Sequence, residues 1–209
     1  QPEPEPEPEA ARPERPEAQA GDAPSVNGAV PALGWFERWR QKRLWSHPAI
    51  HAYRRLALRL QHDFEQDGSD DESGRSVILT SPTATREAAL AARELARFLA
   101  EEQGRRILLV DACLLRPRMT RAMGHTGRPG LAELLTRSGE DVAAKIVATG
   151  QEGVDFLPAG SVEGSAGPLR TEEIEAAIRS AARDYEYVIL LCPPLLEDST
   201  SMGFPAAVD

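Results

Sequence analysis

Three polar segments of this 209-residue chain contain the residue types that could do chemistry. Each follows a short apolar run, and they read TSPTATREAA at 80–89, DACLLRPRM at 111–119 and CPPLLEDST at 192–200. Ligands of a parallel α/β sheet bind beside the carboxyl ends of its strands, so these segments predict one shared site.

The elements that must position these segments are short apolar strands that alternate with helices. The predicted strands are SVILT (76–80), RRILLV (105–110), VDFLP (154–158) and YVILL (187–191). The predicted helices cover 84–102, 131–137, 142–148 and 171–184, and the last of them begins at the N-cap residue Thr171. This alternation predicts an α/β domain with a parallel sheet and helices on both faces.

The beginning of the chain has a different composition. Residues 1–24 contain seven of the 17 prolines and carry seven acids against two arginines. Their net charge of −5 is more than half of the chain's −9. Alternating prolines interrupt helices and sheets, so residues 1–33 are predicted to form a disordered Pro/Glu-rich leader. The remaining residues carry a charge of about −4, which argues against a generally basic nucleic-acid-binding protein.

A basic segment with all three tryptophans follows at 34–62. Trp35 and Trp39 would share a helix face, and residues 35–59 contain seven basic residues against one acid. The second half of the segment has apolar residues at helical spacing and is expected to pack on the domain core. For the tryptophan half two interpretations stay open, namely packing on the core or contact with a partner or an anionic membrane surface. Membrane contact predicts salt-sensitive binding to anionic vesicles.

An acidic linker at 63–75 and a domain at 76–209 make up the rest of the chain. The domain is expected to be incomplete at its C-terminus, because the pattern stops in its middle at Asp209. Two cysteines, Cys113 and Cys192, exclude a disulfide-rich secreted scaffold. The chain has no run of about 18 apolar residues, the length that a membrane-spanning helix needs. These features predict a cytoplasmic protein.

Several fragments, in a constant order, resemble one family. They are HAYRRL (51–56), ILLVDACLLRP (107–117), RPGLAELL (128–135), FLPAG (156–160) and YEYVILLCPP (185–194). Together they resemble the bacterial tyrosine kinases of capsule and exopolysaccharide export, which are P-loop proteins of the MinD and ParA group. The resemblance runs from His51 to Asp209, about three quarters of the chain. It implies a P-loop NTPase-like fold and, in active members, ATP and Mg²⁺.

The phosphate loop that this resemblance implies is degenerate. The aligned positions are Thr83, Ala84, Thr85, Arg86, Glu87, Ala88 and Ala89. Thr85 and Glu87 stand where the family has glycines. Ala88 replaces the family's lysine, and Ala89 replaces the hydroxyl residue that ligates the metal. Glu87 also places negative charge beside a phosphate, which Arg86 would offset only if it turned inward.

The acidic positions that the resemblance implies are reduced as well. Asp111 and Arg116 are retained and are the residual catalytic candidates, although Asp111 can equally well cap the loop after its strand. Cys113 replaces the second acid of the family's Asp-X-Asp pair, and Leu191 replaces the aspartate that organises Mg²⁺. No metal site is therefore expected, and the cysteines are interpreted as small buried side chains.

The size of these losses decides the expected activity. One charge-assisted hydrogen bond contributes about 1.5–3 kcal/mol, so losing the lysine and two carboxylates removes roughly 5–9 kcal/mol if the contributions add. A micromolar complex has only about 8 kcal/mol of binding free energy. Tight Mg²⁺–ATP binding and phosphoryl transfer are therefore expected to be absent. No cofactor is predicted, with ATP and Mg²⁺ as the alternative.

The leading hypothesis is a catalytically degenerate tyrosine-kinase-like protein, a regulatory or docking component of exopolysaccharide or capsule biosynthesis and export. The implied partner is a membrane-bound polysaccharide co-polymerase or chain-length protein, or an active kinase paralogue, at the inner face of the plasma membrane. The candidate interaction residues are Trp35, Trp39 and Arg54, and Arg54 alone matches the family's ring-forming Glu-X-X-Arg-X-X-Arg helix. Two alternatives stay open. One is an active tyrosine autokinase with unusual phosphate anchoring, and the other is a MinD/ParA-like positioning protein.

Overall fold

The computed structural model describes residues 48–66, 75–83, 86–136, 140–161, 171–196 and 204. The predicted leader at 1–33 and the tryptophan half of the basic segment, with Trp35 and Trp39, lie outside these residues. In chain order the elements are α1 (Pro48–Gln66), β1 (Arg75–Leu79), α2 (Arg86–Gln103), β2 (Ile107–Asp111), α3 (Arg118–Ala122), α4 (Leu131–Thr136), a 3₁₀ turn (Ala143–Lys145), β3 (Val147–Ala148), β4 (Val154–Leu157), α5 (Thr171–Ala182) and β5 (Tyr187–Leu191).

The strands form one five-stranded sheet in the order β1-β5-β2-β4-β3. Neighbouring strands from β1 to β4 run parallel, whereas β3 runs antiparallel to β4 at the edge. In this register Leu191 lies opposite both Leu79 and Asp111, so three strands end at the same level. The predicted α/β class with a mostly parallel sheet is confirmed, and the strand ends that carry the candidate residues lie side by side.

Apolar side chains cover both faces of the sheet. Alternate residues of β2 point to opposite faces, as the two-residue period of a strand requires, so Leu108 and Val110 pack on one face and Ile107 and Leu109 on the other. Helices α4 and α5 cover the first face, and α1, α2 and α3 cover the second. Each fully buried large side chain contributes roughly 1.5–3 kcal/mol of hydrophobic stabilisation, which is the main force that holds these layers together.

Helix α1 packs on the domain, as its apolar spacing predicts. Ala57 is buried, and Tyr53, Leu60 and Phe64 pack against the cluster that α2 and the sheet form. The Phe64 ring lies 5.8 Å from the Tyr187 ring, and the Arg75 guanidinium lies 4.8 Å above the Phe64 ring. The helix therefore continues to Gln66, into the predicted linker at 63–75, and β1 begins at Arg75.

The prediction of a helix at 142–148 is wrong. This stretch contains only the 3₁₀ turn Ala143–Lys145, followed by β3, whose Val147 and Ala148 pair with Phe156 and Asp155 of β4. The Asp141 carboxylate accepts a hydrogen bond from the Ala143 backbone N–H at 3.0 Å and turns the chain before it becomes extended. The pairing with β4 outweighs the weak helical preference of so short a segment. The same pairing makes the sheet mixed rather than purely parallel.

Among the helices of the described residues, none is both long enough and apolar enough to cross a lipid bilayer.

Candidate functional site

The segments that follow β1, β5 and β2 meet at one edge of the sheet, here called the carboxyl edge. The Cys192 N–H donates to the Leu79 carbonyl oxygen at 2.8 Å, and the Ala112 N–H donates to the Leu191 carbonyl oxygen at 2.9 Å. The three polar segments of the sequence are thereby brought together. Two sides of this edge differ in their chemistry: the phosphate-loop side, formed by residues 80–89 and 191–196, and the aspartate side, formed by residues 111–136 and 158–161.

Asp111 is fully buried on the aspartate side. Its Oδ1 accepts a hydrogen bond from the Cys113 N–H at 3.1 Å, and its Oδ2 accepts from the Thr120 N–H at 2.8 Å and the Thr120 hydroxyl at 2.9 Å. Burial raises the pKa of this carboxyl, and the three donors oppose that rise. Both carboxylate oxygens are therefore engaged inside the protein, where they hold α3 against the end of β2.

Thr120 extends this network to the next strand. Its hydroxyl oxygen accepts a hydrogen bond from the Ala159 N–H at 2.9 Å while its hydroxyl hydrogen goes to Asp111. The side chain is buried, so neither group can exchange these partners for water. Sequence reasoning missed Thr120 and the five-residue helix α3 that carries it, because nothing in the sequence distinguishes this threonine from a surface one.

Glu133 joins the RPGLAELL and FLPAG segments into one unit. Its Oε2 accepts from the Gly130 N–H at 2.6 Å and its Oε1 accepts from the Ser161 N–H at 3.1 Å. The Leu131 and Ala132 N–H groups donate to the carbonyl oxygens of Pro158 and Ala159, both at 2.8 Å. Glu133 was also missed, although an acid three residues after a glycine at a helix start is a known capping pattern.

Gly130 is required by the closeness of the two backbones in this unit. A Cβ atom at this position would overlap the Pro158 carbonyl group and come within 2.8 Å of the Gly160 nitrogen. Because these neighbours are backbone atoms, they cannot rotate away as a flexible side chain would. The aspartate side is therefore tightly constrained at the level of the main chain.

Apolar atoms occupy the key positions of the phosphate-loop side. Ala88 and Ala89, which align with the lysine and the hydroxyl of the family, pack partly buried against the cluster beneath α2. Glu87 and Thr83 are exposed. Ala84 and Thr85 lie outside the described residues, and Arg86 is the first residue of α2.

The loops after β1 and β5 bond to each other. The Thr80 hydroxyl donates to the Pro193 carbonyl oxygen at 2.8 Å. The Leu195 and Leu196 N–H groups donate to the carbonyl oxygens of Ser81 and Pro82 at 3.0 and 3.1 Å. The backbone of residues 80–82 is thus fixed by the neighbouring loop, which keeps both loops in place without a ligand.

Leu191 and Cys192 stand where the resemblance implies a metal-organising acid and its neighbour. Leu191 is buried in the apolar cluster beneath α2, and Cys192 is buried on the opposite face. Burial, and secondarily the charge of Asp111, raises the pKa of the Cys192 thiol to about 12. Cys113 is half-buried, and its thiol donates to the Leu191 carbonyl oxygen at 3.5 Å. This supports the interpretation of both cysteines as small packed side chains.

Among the described residues of this edge, few groups are suited to bind Mg²⁺. Mg²⁺ binds oxygen ligands, mainly carboxylates, water and substrate phosphates. Asp111 is the only acid at the aligned metal positions, and three protein donors already occupy its oxygens. Throughout the described residues no group of three or more His, Cys, Asp or Glu side chains is placed to hold a metal ion.

The remaining candidates are Arg54, which lies on α1, and Arg116, which lies on the aspartate side of this edge. Arg54 Nε donates to Glu102 Oε2 at 2.9 Å and ties α1 to α2 within the chain. Arg116 is exposed, and its backbone N–H closes a turn with the Cys113 carbonyl oxygen at 3.2 Å.

All three tyrosines of the chain lie in the described residues. Tyr185 is buried and donates to Asp155 Oδ2 at 3.0 Å, and its pKa is raised by burial and by that carboxylate. Tyr187 is also buried, whereas Tyr53 is half-buried.

Comparisons with known proteins agree with the resemblance. No family model matches the chain. It is 30% identical over 161 residues to a putative tyrosine-protein kinase EpsB of Ralstonia solanacearum, a match that covers 74% of this chain and 20% of that protein. The chain thus spans about a fifth of the length of the curated relatives it matches.

Solved structures share the fold. The kinase domain of the Escherichia coli tyrosine kinase ETK matches with a TM-score of 0.62 at 21% identity, covering 78% of this chain and 63% of that one. The Pyrococcus furiosus cell division ATPase MinD matches with a TM-score of 0.54 at 21% identity, covering 65% of this chain and 56% of that one. The relatives and structural neighbours are therefore bacterial tyrosine kinases and MinD-like ATPases, as the sequence fragments indicate, and the fold is that of the P-loop NTPases.

Proposed function

We propose that this tyrosine-kinase-like protein has lost phosphoryl transfer and serves as a regulatory or docking component of exopolysaccharide or capsule biosynthesis and export. The observation that carries the proposal is the contrast at the carboxyl edge. The aspartate side is held by hydrogen bonds of Asp111, Thr120 and Glu133, whereas the positions that align with the family's lysine, hydroxyl and metal-organising acid are Ala88, Ala89 and Leu191.

Asp111 illustrates why a residual motif does not imply activity. A catalytic or metal-organising carboxylate must offer at least one oxygen to the reacting groups. Asp111 instead uses both oxygens to hold Cys113 and Thr120. The fold alone accounts for this aspartate, because leaving its three donors unsatisfied would cost about 1–3 kcal/mol for each donor that is buried.

The proposed partner is a membrane-bound polysaccharide co-polymerase or chain-length protein, or an active kinase paralogue. The similarity to EpsB supports a kinase-related system, and the EpsB protein is about five times as long as the matched region. A domain that keeps its packing after losing its chemistry remains able to present a surface to such a partner.

The proposed location is the inner face of the plasma membrane. Helix α1 begins within the basic segment that contains Trp35 and Trp39, and it presents Arg55, Leu58 and Arg59 to solvent. Arginines and large apolar side chains together favour an anionic lipid surface. Co-sedimentation with anionic vesicles should fall with rising salt and with Trp35→Ala and Trp39→Ala together. Equal sedimentation with neutral vesicles would contradict this location.

A phosphoryl-transfer assay tests the loss of activity. The chain, incubated with Mg²⁺ and ATP, should acquire no phosphotyrosine under conditions in which the ETK kinase domain, included as a positive control, becomes phosphorylated. The alternative, an autokinase that anchors phosphate through Arg86 or Arg116, predicts incorporation at Tyr53, because Tyr185 and Tyr187 are buried. Incorporation that disappears in Tyr53→Phe would therefore contradict the proposal and establish the alternative.

A further inference from the structure

Three leucines are exposed at the carboxyl edge. Leu115 is 60% exposed, Leu195 46% and Leu196 77%. Leu115 lies four residues after the end of β2, and the other two lie four and five residues after the end of β5, its neighbour in the sheet. Single exposed leucines are ordinary on protein surfaces, but several on adjacent loops indicate a contact surface.

Arginines adjoin the exposed leucines. The stretch from 112 to 132 contains Arg116, Arg118, Arg121 and Arg128 and no acid, although the whole chain has a net charge of −9. All four arginines are exposed. The burial of Met119 and Thr120 turns Arg118 and Arg121 outward on α3. Exposed leucines thus occur on both sides of the carboxyl edge, and the local excess of positive charge lies on the aspartate side, next to Leu115.

The backbones that carry these leucines are fixed. The N–H groups of Leu195 and Leu196 bond to Ser81 and Pro82, and the turn around Leu115 is closed by the Arg116 N–H and the Cys113 carbonyl oxygen. The loops that bear Leu195 and Leu115 follow adjacent strands, and residue 195 also lies beside the loop after β1, so the surface spans about three strands, or about 10 Å. Two turns of a helix cover a similar distance, at 1.5 Å per residue.

We propose that Leu115, Leu195 and Leu196, with Arg116, Arg118 and Arg121, form a docking surface for an acidic, leucine-bearing segment of a partner protein. The apolar side chains would contact the leucines, and the carboxylates would pair with the arginines, whose planar guanidinium groups bind carboxylates at two points. The surface, here called the leucine–arginine surface, deepens the proposed docking function and rests on it. It lies beside the loop that leads from β1 to the aligned phosphate-loop positions.

Fluorescence anisotropy with labelled peptides tests this assignment. The probe is a helical peptide built from Glu and Leu. One matched peptide replaces every Glu with Lys, and another replaces every Leu with Ser. The Glu–Leu peptide should bind the full chain, more weakly as salt rises, and neither matched peptide should bind. Leu115→Ser with Leu196→Ser, and separately Arg118→Glu, should weaken binding at least about tenfold, as expected for central contact residues.

Matched variants exclude general effects of charge or polarity. Leu58→Ser removes a leucine that is 52% exposed on α1, and Arg183→Glu reverses an exposed charge just after α5. Both should leave the affinity for the Glu–Leu peptide unchanged. Thermal unfolding midpoints of the surface variants should equal that of the unsubstituted chain, because the replaced side chains are exposed.

Three results would overturn the docking surface. The first is equal affinity of the peptide for the unsubstituted chain and the surface variants. The second is loss, in these variants, of binding to phosphatidylglycerol vesicles but not to the peptide, which would assign the surface to a membrane. The third is a dimer of the chain that the variants abolish.

All titrations omit nucleotide, and a parallel titration with Mg²⁺–ATP shows separately whether the proposed loss of nucleotide binding is correct.

Discussion

The two sides of the carboxyl edge have diverged in opposite ways. On the aspartate side, Asp111, Thr120 and Glu133 satisfy the backbone of three loops, and Gly130 permits a backbone approach that no other residue allows. On the phosphate-loop side, the positions that align with the family's lysine, hydroxyl and metal-organising acid are Ala88, Ala89 and Leu191. One side is held together by polar contacts within the chain, and the other has apolar side chains at the aligned positions.

The proposed loss of a ligand at this site is compatible with an intact domain. Interactions with a bound nucleotide contribute to folding only when the nucleotide is present. Their loss leaves the apo protein stable, provided that apolar atoms fill the space, as Ala88, Ala89 and Leu191 do. Interactions within the chain stabilise the fold whether or not a ligand is bound, so their loss would lower the free energy of unfolding of the apo protein. Substitutions on the two sides should therefore have effects of different size.

Gly130→Ala should have the largest effect. The added Cβ would overlap the Pro158 carbonyl group, so the α4 and β4 loops must separate, which should cost about 3 kcal/mol or more. Urea unfolding measures this free energy. Gly127→Ala is the matched control, because the φ of Gly127 is +79° with open space around its Cβ position, and it should cost only about 1 kcal/mol. Equal costs would contradict the tight backbone contact.

Thr120→Val should have the next largest effect. The substitution keeps the shape but removes the hydroxyl that donates to Asp111 and accepts from Ala159, and it should lower the free energy of unfolding by about 2 kcal/mol. Thr120→Ser retains the hydroxyl and should be closer to the unsubstituted protein. If Val and Ser cost the same, the hydroxyl network is not what holds this side together.

The cysteines, one on each side of the edge, provide the smallest effect. Because the pKa of Cys192 is raised to about 12, only about one in 10⁴ of its thiols is ionised at pH 8, and a thiol reagent should label Cys113 alone in the native chain. Cys113→Ser should abolish native labelling, and urea should expose Cys192. Rapid native labelling of Cys113→Ser would show that Cys192 is not packed as described.

The same thiol contributes to the pH dependence of stability. Its pKa is raised from 9.0 in the unfolded chain to about 12 in the fold, so the unfolded state releases the proton first as pH rises. The contribution is present below pH 9 and is lost progressively between pH 9 and 12. Cys192→Ser should reduce this alkaline loss without changing the behaviour near neutral pH.

The main elements could be predicted from the sequence because their signals are local. The apolar run of β5, Tyr187–Leu191, has the predicted bounds, and α2 and α5 differ from prediction by at most two residues at either end. The short strand β3 and helix α3 could not be predicted, because their positions depend on pairing with β4 and on packing of Met119. Segments of two to five residues carry too little local preference to resist such contacts.

The residue types at the site could be predicted from the sequence, whereas their hydrogen-bond partners could not. The alignment located Ala88, Ala89 and Leu191 at the altered positions. Thr120, however, which donates twice to Asp111, lies on a helix nine residues away, and Glu133 bonds to a loop 28 residues away. Such pairings depend on tertiary geometry, and for this reason the structure was needed to identify them.

The central claim is that the phosphate-loop side no longer binds nucleotide, and a calorimetric titration with Mg²⁺ and ATP tests it most directly. The ETK kinase domain is the positive control, and Arg116→Ala and Arg86→Ala are the matched variants. No saturable heat should appear for this chain up to about 1 mM ATP. A dissociation constant of about 1 mM corresponds to a binding free energy of only about 4 kcal/mol. Saturable binding with a low-micromolar dissociation constant, weakened by either arginine variant, would contradict the account.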